Sequence, residues 1–375
     1  MKILIDSIPP FKNHLSEEFE LYLLKAFIAL KKEKPQVEFC FTTDEFPMVK
    51  IPACISAENI IERKYFRGSL LWSGSRFIGL LGKIKPDIFI NINGIFSGDI
   101  KIPQCIWITG IRDNPDKHNK YLIRIEKKLS ETIQDVSLIF TESEYYRKKL
   151  LQQYPSLQDK IIVVPPAANG GFRRVSWEEK ENIKKEYTKG KEYFLIQSRN
   201  FSEKDLIDLL KAFSIFKKKQ HSNMQCIIAG EKPDKKFLKK MELFKYHDDV
   251  IVYTGSDETE LRKISSASYA CLLSGDMNGF LSAFEMCVPV ICEMNEHMHE
   301  ITGEAVLYTK FRDVEQTANQ LISIYKNENL RNELIKKGIK RTQQFSQQNQ
   351  VMQLWKGIEF VIETKTNIDK MKIQS

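Results

Sequence analysis

Short apolar runs alternate along this chain with longer segments whose apolar residues recur every three or four positions, the periods of strands and helices respectively. Residues 2–6 form the first run. A helical pattern follows over 16–32, where Phe19, Leu23, Phe27 and Leu30 share one face, and 37–42 reads as a second strand. Strand, helix, strand at this spacing is a βαβ unit, which implies a parallel sheet with right-handed crossovers. The rhythm predicts further helices over about 70–83, 118–134 and 143–153, and strands at 87–91, 104–109, 137–141 and 160–164, the last stopped by Pro165 and Pro166.

The segment PPAANGGFRRVSW then breaks the pattern, and its Pro, Asn and Gly content marks a domain boundary. Beyond it the rhythm resumes, with strands at 193–197, 225–229 and 250–253 and helices over 205–220, 235–244 and 258–266. Residues 267–308 read as a strand, a loop, a helix, a short strand at 288–292 and a loop feeding a helix near Glu300. Helices after Asp313, Asn329 and Ser346 finish the chain, the last carrying Trp355, Ile358 and Ile362 at helical spacing. Two consecutive Rossmann-like domains of class α/β are the expected architecture.

Length supports this division, since 375 residues exceed what one ordinary core accommodates. No run of apolar residues is long enough to span a membrane, and MKILIDSIPP lacks the features of a signal peptide, so a cytoplasmic protein is expected. Seven cysteines are scattered without a CxxC pair and read as buried free thiols. The net charge of +8 is spread along the chain, the pattern of a Lys-rich soluble surface. One stretch, from Arg63 through Lys64, Tyr65, Phe66, Arg67 and Trp72 to Arg76 and Phe77, mixes basic and aromatic residues. It suits peripheral contact with an anionic membrane face, or a helix with aromatics inward and arginines outward. His297, His299, Glu293, Glu296 and Glu300 invite a metal reading, but no second cluster completes a site and no metal is expected. Nucleic-acid motifs, P-loops, GxGxxG and GxSxG are absent from the sequence.

In a parallel sheet, ligands bind where strands end and helices begin, so 267–308 is the expected ligand site. Upstream, KEYFLIQSRNFSEKDLIDLLKAF resembles the donor-binding domain of family-4 glycosyltransferases, which have the GT-B fold of two facing Rossmann-like domains with a C-terminal helix crossing back to the first. The resemblance continues through Ile227–Gly230, Val252–Gly255, Pro289–Ile291 and the segment from Glu300 to Tyr308, and more loosely through IKPDIFINING in the first half. It implies an acceptor-side domain over 1–170, rejoined by a helix over about 346–375, and a nucleotide-sugar domain over 171–345. The implied reaction moves a sugar, with retention, from a nucleotide-diphosphate sugar to a polysaccharide or glycolipid acceptor. It needs no further cofactor.

The resemblance implies that Arg199 and Lys204 hold the donor diphosphate, with Ser198 where the family has Gly and Asp205 where Gly or Asn is common. Counting back from Pro289, the family's second glutamate falls on Ser282 and its glycine on Cys287. The first glutamate falls on Ser274 beside a matching Gly275, or on Asn278 if Gly279 is the anchor. Glu285, one turn beyond Ser282, could replace a ribose contact, and Glu300 could touch the sugar or nucleoside. In the first half Asp113 is the candidate catalytic acid beside Gly110. No histidine matches the family's His-Asp pair, His14 being an unsupported substitute. These departures leave two principal readings: an active hexosyltransferase, or an inactive GT-B descendant that serves as a binding or partner subunit. A sugar-nucleotide epimerase of the same fold is a third, which nothing in the sequence favours.

Overall fold

The computed structural model describes residues 1–6, 26–43, 60–62, 75–92, 100–108, 130, 133–168, 171–198, 201–230, 233–255, 257–275 and 277–374. The chain divides into two units: Met1–Pro166 with Gln347–Ser375, and Ala167–Ser346.

Strands β1 (Lys2–Asp6), β2 (Glu38–Thr43), β3 (Ile60–Glu62), β4 (Ile88–Asn91), β5 (Gln104–Ile108), β6 (Leu138–Thr141) and β7 (Ile161–Val163) form the first unit's sheet. Their order is β3-β2-β1-β4-β5-β6-β7 and every pair is parallel. Because side chains alternate across a pleated strand, neighbouring residues enter different cores. Ile3 and Ile5 join Ile88, Ile90, Trp107 and Phe140 on one face, while Leu4 and Phe89 pack on the other with Leu81 of helix α1 (Ser75–Ile84). Ile106, Ile139 and Ile161 cover that second face beside Leu150 of α2 (Glu144–Gln153). Such two-sided burial explains why these strands read as continuous apolar runs.

The second unit opens with α3 (Trp177–Thr188), followed by β8 (Tyr193–Gln197), α4 (Glu203–Gln220), β9 (Gln225–Ala229), α5 (Lys235–Met241), β10 (Val250–Tyr253), α6 (Glu258–Ala267), β11 (Ala270–Leu273), α7 (Met277–Glu285), β12 (Val290–Glu293), α8 (Glu296–Thr302), β13 (Val306–Thr309), α9 (Val314–Lys326) and α10 (Glu328–Gln344). Its six strands run β10-β9-β8-β11-β12-β13, all parallel. Relative to chain order this is 3-2-1-4-5-6, the doubly wound dinucleotide-binding arrangement, with its reversal between β8 and β11. Again alternate residues part, Tyr193, Leu195, Cys271 and Leu273 to one core and Phe194, Ile196, Ala270 and Leu272 to the other.

The last helix, α11 (Gln347–Gln374), returns to the first unit, where Val351, Leu354, Ile358 and Val361 are buried against its sheet. The approach is close because Gly357 faces β6: a Cβ there would overlap the Phe140 ring and lie 2.9 Å from Leu138 Cδ2.

Three elements depart from the sequence reading. Strands β3 and β13 were not expected, and neither was α3, which starts at the last residue of the supposed linker and fills a stretch assigned no element. Its sequence WEEKENIKKEYT offers one buried apolar residue, Ile183, so no apolar stripe announces it. What secures it is a capping box between Ser176 and Glu179 and the buried Lys184, which pairs with Glu181 and, at 2.9 Å, with Glu192. Boundaries also move: α5 stops at Met241 rather than 244, and β12 occupies 290–293 rather than 288–292. Of the cysteines, Cys40, Cys105, Cys226, Cys271 and Cys292 are buried free thiols and Cys287 is half-buried. Burial pushes the Cys226, Cys271 and Cys292 thiols up to about 12, leaving them unreactive.

Candidate functional site

Strands β8 and β11 pair Ile196 with Leu272, and each chain leaves the sheet two residues later, at Ser198 and Ser274. The two serines therefore lie side by side at the strand-order reversal, where a doubly wound sheet opens a crevice. The helices that follow, α4 and α7, start beside it, so two helix N-termini bring positive dipole ends to one place. Ser198 donates its hydroxyl to the Ala229 carbonyl at 3.2 Å, which ties it to the end of β9. Gly275 has φ +63, the left-handed region, so this matching glycine is required by the turn itself.

At the start of α4 the charges are sorted. Ser202 caps the helix, its hydroxyl accepting from the Asp205 N–H at 3.2 Å, while the Asp205 carboxylate accepts from the Ser202 N–H at 3.1 Å. The other Asp205 oxygen accepts from Arg312 Nε at 3.2 Å. Burial acts to raise the Asp205 pKa, but the Ser202 and Arg312 hydrogen bonds outweigh it and hold the carboxyl below its ordinary range. Glu203 pairs with Lys240 of α5 at 2.6 Å. Both carboxylates flanking Lys204 are thus neutralised by other cations. Lys204 itself is exposed and makes no side-chain hydrogen bond or ion pair among the described residues. Lys240 and Arg312 were not anticipated from sequence, since they lie 37 and 107 residues from their partners.

Along α7, Phe280, Leu281, Ala283 and Phe284 are buried, whereas Asn278, Gly279, Ser282 and Glu285 are half-buried. Asn278, Ser282 and Glu285 follow four- and three-residue steps and so form one stripe on the face turned from the core. At 1.5 Å per residue Glu285 lies about 10 Å along the helix from Asn278. The helix ends in a Schellman motif: Cys287 N–H donates to Phe284 O at 3.1 Å and Val288 N–H to Ala283 O at 2.8 Å. Cys287 has φ +60. The position where the family resemblance expects Gly therefore has a left-handed backbone whatever occupies the crevice.

Glu300 is half-buried on α8, whose terminal carbonyls are held by Arg341: its guanidinium donates to Glu300 O and, at 2.7 Å, to Ile301 O. The histidines nearby diverge. His297 is buried and its pKa falls to about 4, while His299 meets the Tyr308 hydroxyl at 3.0 Å and Glu293 accepts from the Phe311 N–H at 3.2 Å. Among the described residues no group of His, Cys, Asp or Glu is arranged to hold a metal ion. Asp113, Gly110, His14 and Arg199, and the side chains from Arg63 to Arg76, lie outside the described residues. No helix among the described residues is long and apolar enough to cross a membrane.

Residues 178–341, within the second unit, match the family model described as Glycosyl transferases group 1. The O-antigen chain mannosyltransferase B of Escherichia coli is 22% identical over 255 residues, a match covering 63% of this chain and 64% of that protein. The chain thus spans just under two thirds of that relative. Among solved structures, Anabaena Alr3699/HepE in complex with UDP and glucose superposes with a TM-score of 0.73 at 12% identity, covering 96% of this chain and 99% of that one. WaaG, a glycosyltransferase involved in lipopolysaccharide biosynthesis, gives 0.67 at 11% identity, covering 92% and 95%. The fold is GT-B: two Rossmann-like units of parallel sheet, with the last helix packed on the first.

Proposed function

We propose that this chain is a retaining glycosyltransferase of surface-polysaccharide assembly, transferring a sugar from a nucleotide-diphosphate sugar to a polysaccharide or glycolipid acceptor without a further cofactor. The second unit binds the donor. Lys204 and Arg199 take the diphosphate at the start of α4, Ser274, Gly279 and Asn278 line its path at the start of α7, and Ser282, Glu285 and Glu300 face the ribose and sugar. Asp113 acts from the first unit, which receives the acceptor. The protein works in the cytoplasm, at the inner face of the membrane.

The observation that carries this reading is the state of Lys204. Glu203 and Asp205 are each tied to another cation, and Lys204, in the first turn of α4, is exposed with no ion-pair partner among the described residues. A leaving diphosphate is the anion such a site stabilises, because its charge grows as the glycosidic bond breaks. The group 1 family match over this unit agrees with it.

Thermal melting with nucleoside diphosphates and nucleotide sugars tests the proposal. At ten times Kd, binding adds about 1.4 kcal/mol, which raises Tm by about 3–6 °C for a unit of this size. Lys204→Ala removes a charge-assisted contact of about 1.5–3 kcal/mol and is expected to abolish the shift at that concentration. No shift with any common nucleotide at saturating concentration refutes the donor site. Ser274 and Ser282, standing where the family resemblance expects carboxylates, favour a second reading: a descendant that binds without transferring. A nucleotide shift with no transfer to any tested acceptor supports that one.

A further inference from the structure

On α5 (Lys235–Met241) and the turn after it, the inward side is satisfied: Phe237 is buried, and Leu238, Met241 and Phe244 pack against the same core. The outward side is not of core type. Lys235, Lys236, Lys239 and Lys240 surround Leu243 and line a surface groove of 410 Å³. Leu243 is 85% exposed, so it contributes nothing to the second unit's interior. Lys235, Lys236 and Lys239 are exposed and have no ion-pair partner among the described residues, and Lys240 alone is matched, by Glu203. Lys235 and Lys239, and Lys236 and Lys240, sit at four-residue spacing, where like charges on a helix repel. The acids of the segment offset the lysines only in part: Asp249 is paired with Lys217 at 2.8 Å, while Asp234, which caps α5 by accepting from the Phe237 N–H at 2.6 Å, and exposed Glu242 and Asp248 leave an excess of cations. Lys245 adds a fifth cation, lying over the Tyr246 ring.

We propose that this surface docks on an anionic lipid bilayer, the lysines meeting headgroup phosphates while Leu243 enters the headgroup–acyl boundary. Charge complementarity selects an anionic partner, and the leucine selects a bilayer over an acidic polymer. A polymer would neutralise the lysines but give an exposed aliphatic side chain nowhere to go, whereas lysine stems and a leucine together suit an interface that is charged outside and apolar beneath. The surface belongs to the second unit and is separate from the stretch between Arg63 and Arg76. It does not depend on the glycosyl-transfer reading.

The test is flotation of the full chain with vesicles of phosphatidylcholine alone and with a phosphatidylcholine–phosphatidylglycerol mixture, at low and raised salt. The chain is expected to bind only the anionic vesicles and to be released by salt. Each lysine near such a surface contributes about a fivefold factor, so Lys235→Gln/Lys236→Gln/Lys239→Gln is expected to weaken binding about a hundredfold. Leu243→Ser, which changes no charge, is expected to weaken it about tenfold. All four side chains are exposed, so melting temperatures should not change, and the leucine variant decides the matter if the triple variant does not fold. The proposal is overturned if neither vesicle is bound, if both are bound equally, or if binding survives these variants but is lost on Arg63→Glu/Arg76→Glu. It is also overturned if Leu243→Ser binds vesicles like the parent while the lysine variant loses dextran sulfate, which assigns the patch to an acidic polymer. Nucleotide-dependent melting is read separately, so failure here leaves the donor site standing, and the reverse.

Discussion

Replacing Cys287 separates two reasons for a glycine at the end of α7. The residue sits at φ +60, inside hydrogen bonds from Cys287 N–H to Phe284 O and from Val288 N–H to Ala283 O. A side chain in this left-handed region costs about 1–2 kcal/mol, which glycine avoids. Glycine's freedom in the unfolded chain returns about 0.5–1 kcal/mol of that, and the half-buried thiol's packing returns a few tenths more. Cys287→Gly is therefore expected to be slightly more stable than the parent. The sharper comparison is with Cys287→Ala, which keeps the strain and loses the thiol: Gly should exceed Ala by about 1 kcal/mol. At Ser282, inside the same helix, the order should invert, Ala exceeding Gly by about 1 kcal/mol. Urea titration read by fluorescence measures both pairs, each unit being fitted to its own transition if two appear. The second unit's midpoints decide. Equal stabilities at 287, or Ala above Gly, refute the claim that helix-end geometry alone calls for glycine. Nucleotide melting on the same proteins gives the functional half: an unchanged shift in Cys287→Gly assigns the glycine to the helix end, and a larger one assigns it to phosphate approach.

Further outcomes follow from single contacts. Gly357→Ala places a Cβ against Phe140 and Leu138 and is expected to destabilise the first unit by about 1–3 kcal/mol in urea, leaving nucleotide binding in the second unit unchanged. Burial lowers the His297 pKa from 6.5 to about 4, so the unfolded chain binds that proton more tightly. The stability is full above pH 6.5 and is lost as pH falls toward 4. About 3 kcal/mol is expected to disappear in that window, and the slope should flatten in His297→Gln. Asp205→Asn keeps an oxygen for the cap while removing a negative charge near Lys204, and is expected to tighten nucleotide binding about threefold by titration calorimetry. Weaker binding would contradict the electrostatic account.

The central strands were legible because they are buried on both faces, which turns each into an apolar run bounded by turns, whereas β3 and β13, at the edges of their sheets, were missed. The strands' parallel pairing was implied by βαβ spacing, whereas the strand order was seen only in the fold. Helix α3 was missed for the opposite reason: one buried apolar residue, Ile183, and a buried lysine give no periodic stripe. Its signal was chemical, Ser176 followed three residues later by Glu179, a pattern that stabilises a helix start without reference to any core. At the candidate site, the family resemblance singled out Ser198, Ser274 or Asn278, Ser282 and Glu285, and where these stand follows from their position along a strand or helix. It could not say that the carboxylates beside Lys204 are matched. Glu203 finds Lys240 across two packed helices, and Asp205 finds Arg312 from a loop at the far edge of the sheet. Such pairings are products of tertiary packing, and they reverse the local inference. Read along the chain, Glu-Lys-Asp is a cation hemmed in by acids; read in space, the acids are spent on other partners and the cation faces outward. On the proposed reading the serines at 274 and 282 and the lysine at 204 bear on different steps. The serine positions would govern how sugar and ribose are held, and Lys204 whether a diphosphate is held at all, so measuring nucleotide binding before transfer separates an altered donor from an abandoned one.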